Sequence, residues 1–204
     1  MLACCRMPQA ASELTSLAER SPQVSVFALD VADFAQIERL AAQLQDTSID
    51  VLINNAGVYG DSQGRGFGLL DYQAWNKTLA VNVQAPVKMA EKFLPHLKRG
   101  DEKLLVAISS LMGSMADNSS GGSVIYRSSK AALNAAMKTL AIDLKDQAVG
   151  VLIFHPGWVK TDMGGAGAPL EATQSVAGMR QTMAAFSLDQ SGIFVKYDGT
   201  PLPW

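Results

Sequence analysis

Asp50-Val51-Leu52-Ile53-Asn54-Asn55-Ala56-Gly57 reads as a short aliphatic strand that runs directly into a polar turn. A bare apolar run of this length, bounded by turn residues, fits a strand buried on both faces. The same grammar extends outward in both directions. Upstream, residues 34–44 carry apolar side chains at helical spacing (Phe34, Ile37, Leu40, Ala41, Leu44), and residues 24–29 form a strand ending at Asp30. Before them come a helix over 10–19, through Leu14, Leu17 and Ala18, and a first strand, Leu2-Ala3-Cys4-Cys5. Downstream, a glycine-rich loop over 60–68 precedes a long helix over 72–97 and a strand over 104–108 stopped by Ser109-Ser110. A polar loop over 112–122, a helix over 124–144 and a strand over 149–154 closed by Pro156-Gly157 follow. A second glycine-rich loop over 164–169, a helix near 175–186 and a strand over 193–195 complete the pattern. Strict alternation of strand and helix predicts an α/β fold with a parallel sheet covered on both faces. With no internal repeat and no linker, residues 1–204 are expected to form a single domain. Loops following strands are where open α/β sheets place ligands.

Composition narrows the function classes. The chain has 204 residues and a formal net charge of -2, so no basic patch suggests nucleic acid and no polybasic segment suggests a membrane surface. No apolar run approaches the ~18 residues of a membrane span. The start, MLACCRMP, lacks the apolar stretch of a secretory signal. The two cysteines, Cys4 and Cys5, are adjacent, which makes neither a disulfide framework nor a metal site. A reducing, cytoplasmic setting is expected.

Residues 126–130 carry the chemistry. Tyr126 and Lys130 stand four apart, on one face of the predicted helix. An ammonium beside a phenol is expected to lower the phenol from its ordinary value of about 10, making it a usable proton donor or acceptor near neutral pH.

Taken in order, Asn54-Asn55-Ala56-Gly57, Val81-Asn82-Val83, Ile108-Ser109-Ser110, Tyr126 to Lys130 and Pro156-Gly157-Trp158-Val159-Lys160-Thr161 resemble the motifs of the short-chain dehydrogenase/reductase family, in its C-factor-like branch. The resemblance implies a Rossmann-like, doubly wound parallel sheet and an oxidoreductase that interconverts carbonyl and alcohol by hydride transfer. It implies Tyr126 as the acid/base, Lys130 as its charge partner and a ligand of the nicotinamide ribose, and Ser110 as the holder of the substrate oxygen, with Ser109 a competitor. Asn82 would fix a helix irregularity and position a water. Cofactor contacts would come from Asp30 with Val31, Asn55, Ala56, Gly57, Tyr126, Lys130, Pro156, Gly157, Val159 and Thr161. Arg6 would neutralise a ribose 2′-phosphate, favouring NADP(H) over NAD(H), or is an exposed arginine. Thr161 is otherwise a turn residue, and His96 and His155 are structural. Loops 60–70, 112–122 and 164–175 would line a pocket for a small carbonyl or alcohol. The helices over 72–97 and 124–144 could support a homo-oligomer.

One part of the family pattern is missing. Members open with a strand, a Thr-Gly-x-x-x-Gly-x-Gly turn and a helix, whereas no glycine precedes Gly57 here. The resemblance therefore implies an N-terminally truncated form without the first βα unit. The family's 3-2-1-4-5-6-7 sheet would lack its central strand, leave two unpaired inner edges, and bind cofactor weakly. A non-catalytic signalling or interaction protein that retains the scaffold is the alternative.

Overall fold

In a computed structural model, which describes residues 1–62, 64 and 66–204, the apolar runs become strands and the periodic segments become helices. Gln63 and Arg65, within the expected 60–68 loop, lie outside the described residues. The chain divides into two compact units, Met1–Gln45 and Asp46–Trp204.

In the first unit, β1 (Leu2–Cys5) and β2 (Ser25–Ala28) pair in parallel, Leu2 opposite Ser25 and Cys5 opposite Ala28. Helix α1 (Ser12–Arg20) connects them, and α2 (Phe34–Gln43) follows β2. Helix α2 starts where it does because the Asp33 carboxylate accepts from the Ala35 and Gln36 N–H groups of its first turn. Its apolar face, Ile37, Leu40 and Ala41, is buried.

The second unit holds a four-stranded parallel sheet in the order β3 (Val51–Asn54), β4 (Leu104–Ile108), β5 (Gly150–His155) and β6 (Ile193–Lys196). Strands β4 and β5 are buried along nearly their whole length, as unbroken aliphatic runs should be in a sheet covered on both sides. On one face Leu104, Val106, Leu152, Phe154 and Val195 pack with Met179, Met183 and Phe186, the methionines coming from α6 (Ala172–Ala184). Helix α4 (Ala85–Arg99) packs against β3 and β4, and α5 (Val124–Asp143) against β5. Among the described residues β1 pairs with β2 alone and β3 with β4 alone, so the parallel strands form two sheets. The α/β, Rossmann-like architecture is the expected one.

Three boundaries differ from the sequence reading. The helix expected over 72–97 is α3 (Tyr72–Leu79), one π-helical turn (Ala80–Gln84) and α4. Hydrophobic period cannot register the one-residue widening of a π-turn. The 112–122 loop is entered through a 3-10 turn, Leu111–Gly113, capped by the Ser110 hydroxyl. Helix α6 begins at Ala172, earlier than expected, because Glu171 and Gln174 form a reciprocal capping box. Residues 172–175 are therefore helix, not pocket loop.

Candidate active site

Helix α5 carries Tyr126 and Lys130 in its first two turns, and both side chains are buried. The Lys130 Nζ donates to the Ile108 carbonyl at 2.9 Å and lies 5.7 Å from the centre of the Tyr126 ring. Strand β4 ends at Ile108, so the ammonium is anchored to the same strand end that delivers Ser109 and Ser110. The 3-10 turn after Ser110 lies directly on α5. A Cβ placed on Gly113 would come within 2.8 Å of the Lys130 carbonyl carbon and 2.9 Å of its Cβ. No side chain fits there, and that close approach puts Ser110 beside the phenol.

The two serines face different partners. The Ser109 hydroxyl donates to Asn134 Oδ1 at 2.5 Å, and its N–H donates to the Phe154 carbonyl. The Ser110 Oγ accepts from the Met112 N–H at 3.1 Å, and its hydroxyl favours the ionised form of the nearby Tyr126 phenol.

The electrostatics correct one expectation. Lys130 was expected to lower the Tyr126 phenol, but the phenol is raised. Burial is the main cause, the Ser110 hydroxyl opposes it, and Tyr59 adds to the rise. The same burial brings the Lys130 ammonium down to about 8. A charge held against a backbone carbonyl, 5.7 Å from the ring centre, does not overcome the loss of water around the phenol.

Asn82 sits fully buried in the π-turn. Its Oδ1 accepts from the Val58 N–H and its Nδ2 donates to the Val58 carbonyl, both at 2.9 Å. Nδ2 also donates to Ser129 Oγ at 2.9 Å, and Ser129 donates onward to the Tyr126 carbonyl at 2.8 Å. A Cβ on Gly57 would lie 3.5 Å from both Asn82 Oδ1 and Lys130 Nζ. Gly57, Asn82, Ser110, Tyr126 and Lys130 are thus brought to one place.

The remaining candidates are placed as follows. Arg6 is exposed just after β1, Asp30 folds its carboxylate back onto the Ala32 N–H at 2.9 Å, and Val31 is half-buried. All three belong to the first unit. In the second unit Asn55 and Ala56 are exposed after β3. Pro156 accepts from Ser175 Oγ, and Gly157 has a φ of +88° with Leu170 within 2.7 Å of where a Cβ would stand. Val159 forms an isolated bridge with Leu170. Thr161 is exposed, and its Oγ1 accepts from the Gly164 N–H at 3.1 Å, so its hydroxyl closes a turn. His155 is held down to about 4 by burial, with Lys196 adding to the effect. Among the described residues, no three His, Cys, Asp or Glu side chains gather as metal ligands, and no helix is long and apolar enough to cross a membrane.

Three residues at this place escaped the sequence reading. Tyr59 stacks on Tyr126 with ring centres 4.7 Å apart, Asp61 accepts from the backbone of α5, and Gly113 lets the serine turn approach Lys130. All three act across more than a dozen residues of sequence, and only Gly113, a glycine just beyond the serines, carried a local signal.

The short chain dehydrogenase family model matches residues 1–169. C-signal of Myxococcus xanthus is 41% identical over 156 residues, which span 76% of this chain and 93% of that protein. Among solved structures, the carbonyl reductase Sniffer of D. melanogaster has a TM-score of 0.93 at 36% identity, covering 100% of this chain and 87% of that one. The NADPH-bound carbonyl reductase from chicken fatty liver has a TM-score of 0.92 at 31% identity, with coverage of 100% and 87%. With the family matched over most of its length and its parallel α/β frame shared with both structures, the chain belongs to the short-chain dehydrogenase family of oxidoreductases.

Proposed function

We propose that this chain is a cytoplasmic, NADP(H)-preferring carbonyl reductase, a single functional domain that acts on a small carbonyl or alcohol. The observation that carries the reading is the convergence of Ser110, Tyr126 and a buried Lys130 through the Gly113 contact. A buried ammonium is costly, and a helix that needed only packing would have no use for it. The NADPH-bound reductase among the similar structures supports the choice of cofactor.

The nicotinamide half of such a cofactor fits the residues present. Lys130 spends one N–H on Ile108 and keeps two, Gly57 leaves bare backbone beside it, and Asn54 Nδ2 is buried without a partner at the strand end. When bound, the reduced nicotinamide supplies the hydride to the carbonyl carbon. Ser110 holds the carbonyl oxygen by donating a hydrogen bond, which prepares the site for the charge that develops there. Tyr126 gives its proton to that oxygen as the alcohol forms. A phenol raised by burial is protonated at neutral pH and so ready to donate. Lys130 orients the ribose hydroxyls, and Asn82 fixes Val58 and Ser129 around the pair.

A second reading, a signalling or interaction protein that keeps the scaffold, has one observation in its favour: the 41% identity to the protein named C-signal. The two readings separate in one assay. NADPH oxidation with a panel of small aldehydes and ketones should be measurable at millimolar NADPH and abolished in Tyr126→Phe. Turnover that survives Tyr126→Phe, or none at any NADPH concentration, sinks the reductase reading.

A further inference from the structure

Helix α5 starts in an unusual way. Its N-cap residue, Ser123, has a left-handed backbone (φ 46°, ψ 48°) and makes no side-chain cap bond. A serine in this place ordinarily accepts from the first-turn N–H groups. Here its hydroxyl is turned to the Tyr59 phenol, 2.7 Å away. The first-turn N–H groups are taken by a residue from outside the helix: Asp61 Oδ1 accepts from Ile125 at 3.2 Å and Oδ2 from Tyr126 at 2.8 Å. The carboxylate also meets the positive end of the helix dipole.

We propose that Asp61 is a positioning residue for Tyr126, acting through the strap 58–61 that ties the start of α5 to the rest of the site. Each residue of that strap is gripped. Val58 is clamped at both its N–H and its carbonyl by Asn82. The ring of Tyr59 lies on the ring of Tyr126, 4.7 Å between centres with the planes 27° apart. Gly60 has a φ of +80°, and a Cβ there would strike Thr78 Oγ1 at 2.1 Å and Ile125 Cγ2 at 2.7 Å. Asp61 then closes the strap on the Tyr126 N–H. If α5 needed only a cap, a residue at position 123 could supply it. A cap delivered by the segment that also covers the Tyr126 ring makes the phenol's position depend on residues 58–61. This inference rests on the reading of Tyr126 as the proton donor.

The test uses protein labelled with 13Cζ-tyrosine. The chain has 4 tyrosines, and Tyr126→Phe identifies the resonance of Tyr126. Asp61→Ala should move that resonance and bring its titration midpoint down toward an ordinary tyrosine, because a loosened helix start admits the water that burial excludes. Asp61→Asn keeps one acceptor oxygen and should give an intermediate change. Asp71→Ala is the control: Asp71 caps α3 in the same manner, through Gln73 and Ala74, and its loss should leave the Tyr126 resonance in place. In turnover, Asp61→Ala should lower kcat roughly tenfold or more with KM for the carbonyl within about twofold. The resonance is read without turnover, so a wild-type protein that reduces nothing overturns the reductase reading and leaves this test intact. The inference is overturned if Asp61→Ala moves the Tyr126 resonance and midpoint no further than Asp71→Ala does. If Asp61→Ala does not fold, an Asp61→Asn protein with the wild-type resonance overturns it instead.

Discussion

Replacing Lys130 with methionine should make the protein more stable at neutral pH while destroying its catalytic pair. The ammonium is buried, and burial brings its pKa from 10.5 to about 8. The folded state therefore releases this proton at a lower pH than the unfolded chain does. Between about pH 8 and 10.5 the unfolded chain binds more protons, so the stability contributed by this position rises with pH across that window. Below about pH 8 the full cost of holding the charge is present. At about 1.4 kcal/mol per pH unit, that cost is about 3 kcal/mol. Methionine has a similar length and no charge, but it leaves the Ile108 carbonyl without its donor, a loss of about 1 kcal/mol. Lys130→Met should thus be about 2 kcal/mol more stable than wild type at pH 7 and about 1 kcal/mol less stable at pH 10.5 and above. Urea denaturation of both proteins across this range measures the difference, and other titrating groups cancel between them. A gap that stays constant from pH 7 to 10.5 would refute the argument, since it would mean that Lys130 titrates alike in both states. The predicted gain is itself informative. A residue retained at a cost in stability is retained for something else.

Asn82→Ala removes three hydrogen bonds of a fully buried side chain and should destabilise by about 2–4 kcal/mol, with the Val58 amide losing its exchange protection first. An unchanged Val58 exchange rate in the variant would contradict the clamp. The two serines should part company in kinetics. Ser110→Ala should lower kcat by about 10²-fold or more, and it should also cost about 0.5–2 kcal/mol of stability as the Met112 N–H loses its cap. Ser109→Ala should leave kcat within a few-fold and destabilise by about 1–3 kcal/mol, because Asn134 Oδ1 loses its donor; the reverse pattern would exchange their roles. Gly113→Ala forces a methyl group to within 2.8 Å of the Lys130 backbone and should destabilise by about 1–3 kcal/mol, measured as a lower Tm. A neutral result there would show that the serine turn does not rest on α5.

What could be read beforehand followed the range of the interactions. Local hydrophobic runs placed the six strands among the described residues and the tyrosine helix, because a parallel sheet covered on both faces writes itself as bare aliphatic segments such as Leu104 to Ile108. The order of the strands came from resemblance and agrees with β1 pairing with β2 and β3 with β4. The break in the long helix was visible only through Asn82, since a π-turn leaves no trace in hydrophobic period. Asp61 and Tyr59 were illegible for a physical reason. They sit in what reads as a glycine-rich loop, and their partners on α5 are 64 or more residues away. The direction of the Tyr126 shift was also beyond the sequence. The Tyr-x-x-x-Lys spacing announces a charge beside the phenol, but the competing burial is set by Tyr59 and the Gly113 turn, which only packing reveals.

The claim on which the account depends is that Tyr126 delivers the proton when a reduced nicotinamide delivers the hydride. Incubating the protein with NADPH deuterated at the transferable position and a small ketone or aldehyde, then examining the product alcohol by mass spectrometry, tests it directly. The account predicts one deuterium on the carbinol carbon with wild-type protein and none with Tyr126→Phe. Deuterium transferred equally by Tyr126→Phe, or an alcohol formed without deuterium, would contradict it.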